Sequence, residues 1–280
     1  MSPRTLAPNP PTIDCPPPLK LVTSPSIRIG VVLSAGGLRG AAHLGVLRKL
    51  TASAVPLDVI VGVSAGAVIA AYYAAVGLTV EEMIADARVF RGRHLVAHSL
   101  NLRSHRWLAA LLEPLAGVIP SRLRQLESGR FERLHHGVHA IGVVCHDLTH
   151  GRPRYLSTAD HGAVPLYDAV ATSASIPSMF PSRPIEYGGR VCEFTDGGVS
   201  DSLPVGFART AGLDATHLVV SDCRSRGAPM LERPDAVYIR PSLGTTRVLR
   251  APRASLLAAV AAGERAVTDA MVTRIRGWLY

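Results

Sequence analysis

Leu57-Asp58-Val59-Ile60-Val61-Gly62-Val63-Ser64-Ala65-Gly66-Ala67-Val68-Ile69-Ala70-Ala71 is the stretch that sets the fold. Leu57 to Val61 is apolar except at Asp58 and β-branched from Val59 on, the pattern of a buried strand. Ala67 to Val76 is rich in alanine and reads as a helix. Between them, Gly62-x-Ser64-x-Gly66 has the spacing of a nucleophile elbow, a sharp strand-to-helix turn that presents a serine hydroxyl. The helix N-terminus at that turn favours developing negative charge. Val59 to Val80 carries no charge and is long enough to span a bilayer. Gly62, Ser64 and Gly66 interrupt it where β-branched residues give way to alanine, so a buried strand followed by a buried helix is expected.

Outward from the elbow, the remaining pattern alternates strands with helices. Ile27 to Ser34 reads as a first buried strand, followed by the glycine-rich turn Ala35-Gly36-Gly37-Leu38-Arg39-Gly40 and a helix from Ala41 to Ser53. Thr79-Val80-Glu81-Glu82 has the form of a capping box opening a helix to Arg91. From His94 to Leu134 the pattern is helical, with Trp107, Leu108, Leu111, Leu112 and Leu115 on one face, either a core face or an acyl-chain wall. Strands are expected at Ala140–Cys145, Arg190–Phe194, Thr216–Ser221 and Ala236–Ile239. Helices are expected at Leu166–Ser175 and Ala254–Trp278. This alternation predicts an α/β domain with a mostly parallel central sheet and helices on both faces.

With 280 residues, 48% of them hydrophobic, the chain can bury a substantial core. The first 26 residues are rich in proline and lack an apolar signal core. They are expected to form a disordered tail before a domain spanning 27–280, with no signal peptide, no transmembrane helix and a cytoplasmic location. The formal charge is +9, and nine arginines between Arg88 and Arg133 face only Glu113, Glu127 and Glu132. That excess suits a phosphate-headed lipid or peripheral contact with an anionic membrane surface. Nucleic acid is not expected, since aromatic residues are 5% of the chain and no recognition motif occurs. Cys15, Cys145, Cys192 and Cys223 are widely spaced and read as free thiols; no metal-ligand spacing and no cofactor motif is found.

Three loops that follow expected strands carry the chemistry, and in an open parallel sheet such loops converge at the carboxyl edge. One supplies Ser64. The glycine-rich turn supplies amides suited to an oxyanion, where a single donor contributes about 3 kcal/mol. Thr195-Asp196-Gly197-Gly198 supplies a carboxylate beside two glycines. A histidine base should follow the acid, and His217, the only histidine beyond Asp196, sits near the start of a strand, at the wrong edge. Asp196 is therefore expected to take the Ser64 proton itself, which a dry site favours. A dinucleotide fingerprint fails, because Ala35 holds its first position and Asp58 begins the second strand instead of ending it.

With these motifs in place, the chain resembles the patatin-like phospholipases over Ile27 to Leu279. The resemblance rests on Ala35 to Gly40 followed by Ala42-His43-Leu44-Gly45-Val46-Leu47, on Gly62 to Gly66, and on Asp196-Gly197-Gly198. Ala174 to Pro181 and Asp147-Leu148-Thr149 with Gly151 add to it. It implies a three-layer fold and hydrolysis of a lipid ester without a cofactor or metal. Ser64 would be the nucleophile and Asp196 the base. Gly36, Gly37 and Leu38, braced by Arg39, would form the oxyanion hole, with Gly40, Gly62, Gly66, Gly197 and Gly198 in support. Two positions depart from the family pattern: Ala35 replaces a glycine and Ser202 stands where asparagine is frequent. A lipid-binding member without turnover and a serine esterase using His217 are the rival readings.

Overall fold

A computed structural model describes residues 26–103, 113–160, 164–225, 233–244 and 255–280. Apart from Ser26, the expected tail lies outside them, as does the apolar face from Trp107 to Leu112. Among the described residues, one eight-stranded sheet contains β1 (Ile29–Leu33), β2 (Val59–Val63), β3 (Ala140–Asp147), β4 (Arg152–Ser157), β5 (Arg183–Tyr187), β6 (Arg190–Asp196), β7 (His217–Ser221) and β8 (Ala236–Ile239). Around it lie α1 (Ala42–Ala52), α2 (Ala65–Ala71), α3 (Val80–Val89), α4 (Gly92–Arg103), α5 (Ile119–Glu127), α6 (Leu166–Ser173), α7 (Ser255–Ala266) and α8 (Asp269–Arg276).

Strands β3, β2, β1, β7 and β8 are parallel neighbours in that order. Every residue of β1 and β2 is buried, as their unbroken apolar runs require of strands covered on both faces. Alternation divides the side chains between two cores. Ile29, Val31, Leu33 and Ile60 belong to the larger one, beneath α1, α2, α3, α6, α7 and α8. Val32, Val59, Val61, Val63 and Val144 face a smaller core closed by Leu203, Phe207 and Leu213. The cover on that second face is thin: Phe207–Arg209 form a single 3-10 turn. The mostly parallel three-layer arrangement is thus the expected one, with its helical mass concentrated on one side.

The β3 strand acts as a ruler for the site. One of its edges pairs with β4 from Gly142 to Asp147. Its other edge pairs with β2 from Ala140 to Val144, then with β6 from Cys145 to Asp147. Val63 therefore sits opposite Val144, and Asp196 sits opposite the next residue, Cys145. Strands β2 and β6 meet end to end along one edge, so the residue after Val63 is brought beside Asp196.

Several boundaries differ from the sequence reading. The strand carrying Asp196 is antiparallel to β3, so the carboxylate reaches the carboxyl edge from the opposite direction to Ser64. The elbow helix ends at Ala71 and passes into a π-helical turn, Tyr72–Val76, stopped by Gly77 in the left-handed region. The single helix expected from Ala254 is two, because the Thr268 hydroxyl accepts the Met271 amide at 3.2 Å and starts α8. The Thr79–Glu82 capping box is present. Within the expected helical run His94–Leu134, Leu115 is 60% exposed and is not a core residue. Among the described residues, no helix is long and apolar enough to cross a membrane.

Candidate active site

Ser64 occupies the sharp turn between β2 and α2 with φ 56° and ψ −124°, a conformation an L-residue adopts only under constraint. The constraint is visible. Its amide donates to Ser173 Oγ at 2.9 Å, and Ser173 Oγ–H donates to the Val144 carbonyl at 2.6 Å, tying the elbow to β3 through α6. Its carbonyl accepts the Ala67 amide at 3.0 Å. Gly66 lies so close to β1 that a Cβ there would stand 2.3 Å from the Leu33 carbonyl oxygen. Gly62 packs under the same turn, against the Gly66 backbone.

Asp196 closes β6. The Asp196 amide and the Thr195 hydroxyl both donate to the Ser175 carbonyl, at 3.2 and 2.9 Å. One carboxylate oxygen accepts the Gly198 amide at 2.7 Å, and the other accepts Ser64 Oγ–H at 2.7 Å. Gly197 presses on the Val144 carbonyl, which fixes the turn after the carboxylate against β3. Ser64 and Asp196 are 4% and 5% exposed. Burial raises the Asp196 carboxyl from 3.8 to about 6, against the two hydrogen bonds that favour its charged form.

The glycine-rich turn becomes a 3-10 helix, Gly37–Ala41, whose leading amides have no partner earlier in that helix. Gly37, Leu38 and Gly40 line one cavity together with Ser64. Gly36 instead backs onto Cys223, and the buried Arg39 turns away from the cavity, donating from Nε to the Cys223 carbonyl at 3.0 Å. Gly40 meets the elbow helix directly: a Cβ there would lie 2.6 Å from Ala65 Cβ. The two departures from the family pattern touch each other, since the Ala35 amide donates to the Ser202 carbonyl at 2.9 Å. Ser202 is further held by Arg224, which is paired with the buried Asp222.

His43, inside the Ala42–Leu47 motif, has a role that only the structure discloses. His43 is fully buried behind the glycine loop. Its Nε2 lies 3.0 Å from the Ser34 carbonyl, so that nitrogen carries the proton; Nδ1 then accepts from Ser221 Oγ at 2.8 Å. Burial lowers its pKa to about 4, so it stays neutral and fastens the ends of β1 and β7 below the loop. His217 lies at the other edge of the sheet, as expected, opposite Ile29 and beside the Trp278 ring at 4.9 Å. Asp58 precedes β2 and accepts the Ile29 amide, which places it at the amino edge and away from any ligand at the glycine loop.

Cys145, Cys192 and Cys223 are free and buried. Asp147, His150 and Cys192 bring their ligand-type atoms within 4.8 Å of one another. The Asp147 carboxylate is already engaged there, accepting from Arg154 at 2.7 Å and from the His150 side chain at 2.8 Å. The guanidinium supplies the positive charge a cation would bring. Asp201 accepts the Tyr155 hydroxyl and the Leu203 amide, a structural role.

The cavity beside Ser64 holds about 330 Å³ and is lined mostly by apolar side chains from α2, α3, α5 and α6. A serine hydrogen-bonded to a buried carboxylate, with helix-leading amides at the wall of an apolar cavity, is equipped for acyl transfer from an apolar ester.

The Patatin-like phospholipase family model matches residues 31–209. An uncharacterized NTE family protein of Mycobacterium tuberculosis is 30% identical over 182 residues, which is 63% of this chain and 27% of that protein. A lysophospholipase of Aspergillus fumigatus is 43% identical over 65 residues, 23% of this chain and 4% of that protein. The chain thus spans about a quarter or less of these relatives. The crystal structure of VipD from Legionella pneumophila superposes with TM-score 0.54 at 14% identity, covering 91% of this chain and 67% of that one. With its matched segment extending from β1 past β6, the chain belongs to the patatin-like phospholipase family.

Proposed function

We propose that this protein hydrolyses carboxylic esters of lipids through Ser64 and Asp196. The observation that carries the reading is the 2.7 Å hydrogen bond from Ser64 Oγ to a buried Asp196 at one end of an apolar cavity. Asp196 takes the proton as Ser64 Oγ attacks the ester carbonyl. The amides at the head of the Gly37–Ala41 helix receive the oxyanion. Collapse breaks the ester C–O bond, and the leaving alcohol takes the proton from Asp196. Water, deprotonated by the same carboxylate, then attacks the acyl-enzyme and frees the acid and Ser64. Membership in a family of phospholipases and the lysophospholipase name of one relative support a lipid substrate. The exposed arginines of α3 and the segment after it, Arg88 and Arg93, suit approach to an anionic lipid surface.

The test is fatty-acid release from phospholipid, lysophospholipid and acylglycerol vesicles, with fluorophosphonate labelling alongside. The intact chain is expected to release acid and to label at Ser64, Ser64→Ala to do neither, and His217→Ala to retain both. Labelling without release from any lipid would point to a lipid-binding protein, and loss of release in His217→Ala to a histidine-dependent esterase.

The base must be ionised to act. With Asp196 raised to about 6, kcat/KM should climb across pH 5–7 with a midpoint near 6 and then level off. A pH profile midpoint near 4 would show that the carboxylate is not desolvated during the reaction.

A further inference from the structure

Four helices each present one apolar stripe to the cavity, at helical spacing. Ala65, Val68, Ile69 and Tyr72 come from the elbow helix and its π-helical end. Stripes from α3, α5 and α6 add to the wall, and Leu44, His98, Phe180, Arg183 and Leu256 line the remainder. Each stripe carries one polar residue: Tyr72, Asp86, Arg122 and Tyr167 respectively. These four belong together. Arg122 forms a two-pronged pair with Asp86, at 2.7 and 3.0 Å, and both groups together with Tyr167 act electrostatically on the Tyr72 hydroxyl.

Two helices measure how far this polar ring stands from the reacting atoms. Tyr72 follows Ser64 by eight residues along α2, and at helical rise that is about 12 Å. Tyr167 lies six residues before Ser173, the last residue of α6, about 9 Å at helical rise, and Ser175, whose carbonyl holds Asp196, follows two residues beyond. The start of α2 and the end of α6 meet at the Ser64 amide, held by Ser173 Oγ, and the ring stands about 9–12 Å along both. Along α2 and α6 the lining residues between are apolar: Val68, Ile69, Val170, Ala171 and Ala174. Asp86 and Arg122 keep 26% and 22% of their side chains exposed, so the ring is the boundary where the apolar space ends and water begins.

Resting on the hydrolase reading above, we propose that the Tyr72–Asp86–Arg122–Tyr167 ring is the end-stop for the acyl chain and makes the enzyme selective for medium-chain esters. An extended alkyl chain advances about 1.25 Å per carbon, so about ten carbons span the distance. A sixteen-carbon chain would have to press four or more methylenes into a paired guanidinium and carboxylate, and desolvating that pair is costly.

The experiment is a ladder of 4-nitrophenyl esters with four to sixteen acyl carbons, presented in detergent micelles of one composition. For the intact chain, kcat/KM should peak between eight and twelve carbons and fall at least tenfold at sixteen. The double variant Asp86→Ala with Arg122→Ala removes both charges together, and the C16-to-C8 ratio should rise at least tenfold. Val68→Phe narrows the cavity one helical turn from Ser64 and should move the peak to four to six carbons; it keeps the test decisive if the double variant does not fold. Equal rates on C8 and C16 by the intact chain overturn the end-stop alone. So does a double variant that loses rate at every length with the ratio unchanged, since that would place a headgroup at the ring. No turnover at any length, with no fluorophosphonate labelling of Ser64, overturns the hydrolase reading and this inference with it.

Discussion

Asp196→Asn is expected to lower kcat by about 10²–10⁴-fold, the range that a positioned general base supplies, while making the folded protein more stable at neutral pH. The loss follows from proton transfer: an amide holds Ser64 in place but cannot take its proton. The geometry tolerates the exchange. The Asn oxygen can accept the Gly198 amide as Asp196 does at 2.7 Å, and its NH₂ group can donate to Ser64 Oγ in place of the present bond. The gain follows from burial. The carboxyl is raised from 3.8 to about 6, which corresponds to roughly 3 kcal/mol of preference for the neutral form in the folded state.

The sign and the window follow from that direction. A raised carboxyl pKa means that the folded protein holds its proton more tightly than the unfolded chain, so Asp196 costs stability wherever it is ionised. The penalty is complete above pH 6, shrinks between 6 and 3.8, and is absent below 3.8. Thermal unfolding at pH 7.5 should therefore show Asp196→Asn melting several degrees above the parent, with the two curves converging at pH 4. Coincident melting at pH 7.5 would mean that the carboxylate is solvated in the folded protein, and the argument for its basicity would fail with it. Gain of stability on loss of activity is the pattern of a residue kept strained for its chemistry.

What the sequence discloses depends on whether a feature is local. The Val59–Val63 strand, the Gly62–Gly66 turn and the alanine-rich helix are contiguous and covered on both sides, so apolar runs and glycine spacing identify them directly. Arg152–Ser157 and Arg183–Tyr187 were not legible as strands, because they lie on the antiparallel part of the sheet, only partly buried, with arginine and proline where an apolar run would be sought. That Asp196 would sit near Ser64 could be read from motifs, but the means could not. It depends on β3 changing partners between Val144 and Cys145, and nothing in Ala140 to Asp147 marks that handover. His43 was visible only as a motif letter, since its partners Ser34 and Ser221 come from two other strand ends. The polar ring is the extreme case. Tyr72, Asp86, Arg122 and Tyr167 each look like an ordinary residue on an amphipathic helix, and only packing four helices together makes them one feature.

Gly66→Ala should destabilise the protein by about 3 kcal/mol or more and abolish fluorophosphonate labelling of Ser64, although it adds a single methyl group. The added Cβ would lie 2.3 Å from the Leu33 carbonyl oxygen, 2.7 Å from its carbon and 2.8 Å from the Ser34 carbonyl oxygen. These are backbone atoms with little freedom to yield. Leu33 is paired with Gly62 of β2 on one side and Ser221 of β7 on the other, and the Ser34 carbonyl is the acceptor for His43. Relief requires either that α2 lift from the sheet, carrying Ser64 out of reach of Asp196, or that the end of β1 shift, carrying Gly37 and Leu38 with it. Either route breaks the alignment of nucleophile, base and amides, so activity and stability should fall together. Gly206→Ala is the matched control: its φ is −65°, and nothing lies within 4 Å of the new Cβ. There the change should be neutral or add up to about 1 kcal/mol through the unfolded chain. Against a total stability of about 5–15 kcal/mol the two substitutions are readily separated by urea unfolding. A Gly66→Ala protein with the parent midpoint and undiminished labelling would show that α2 does not rest on the end of β1, and the close approach that aligns the site would have to be abandoned.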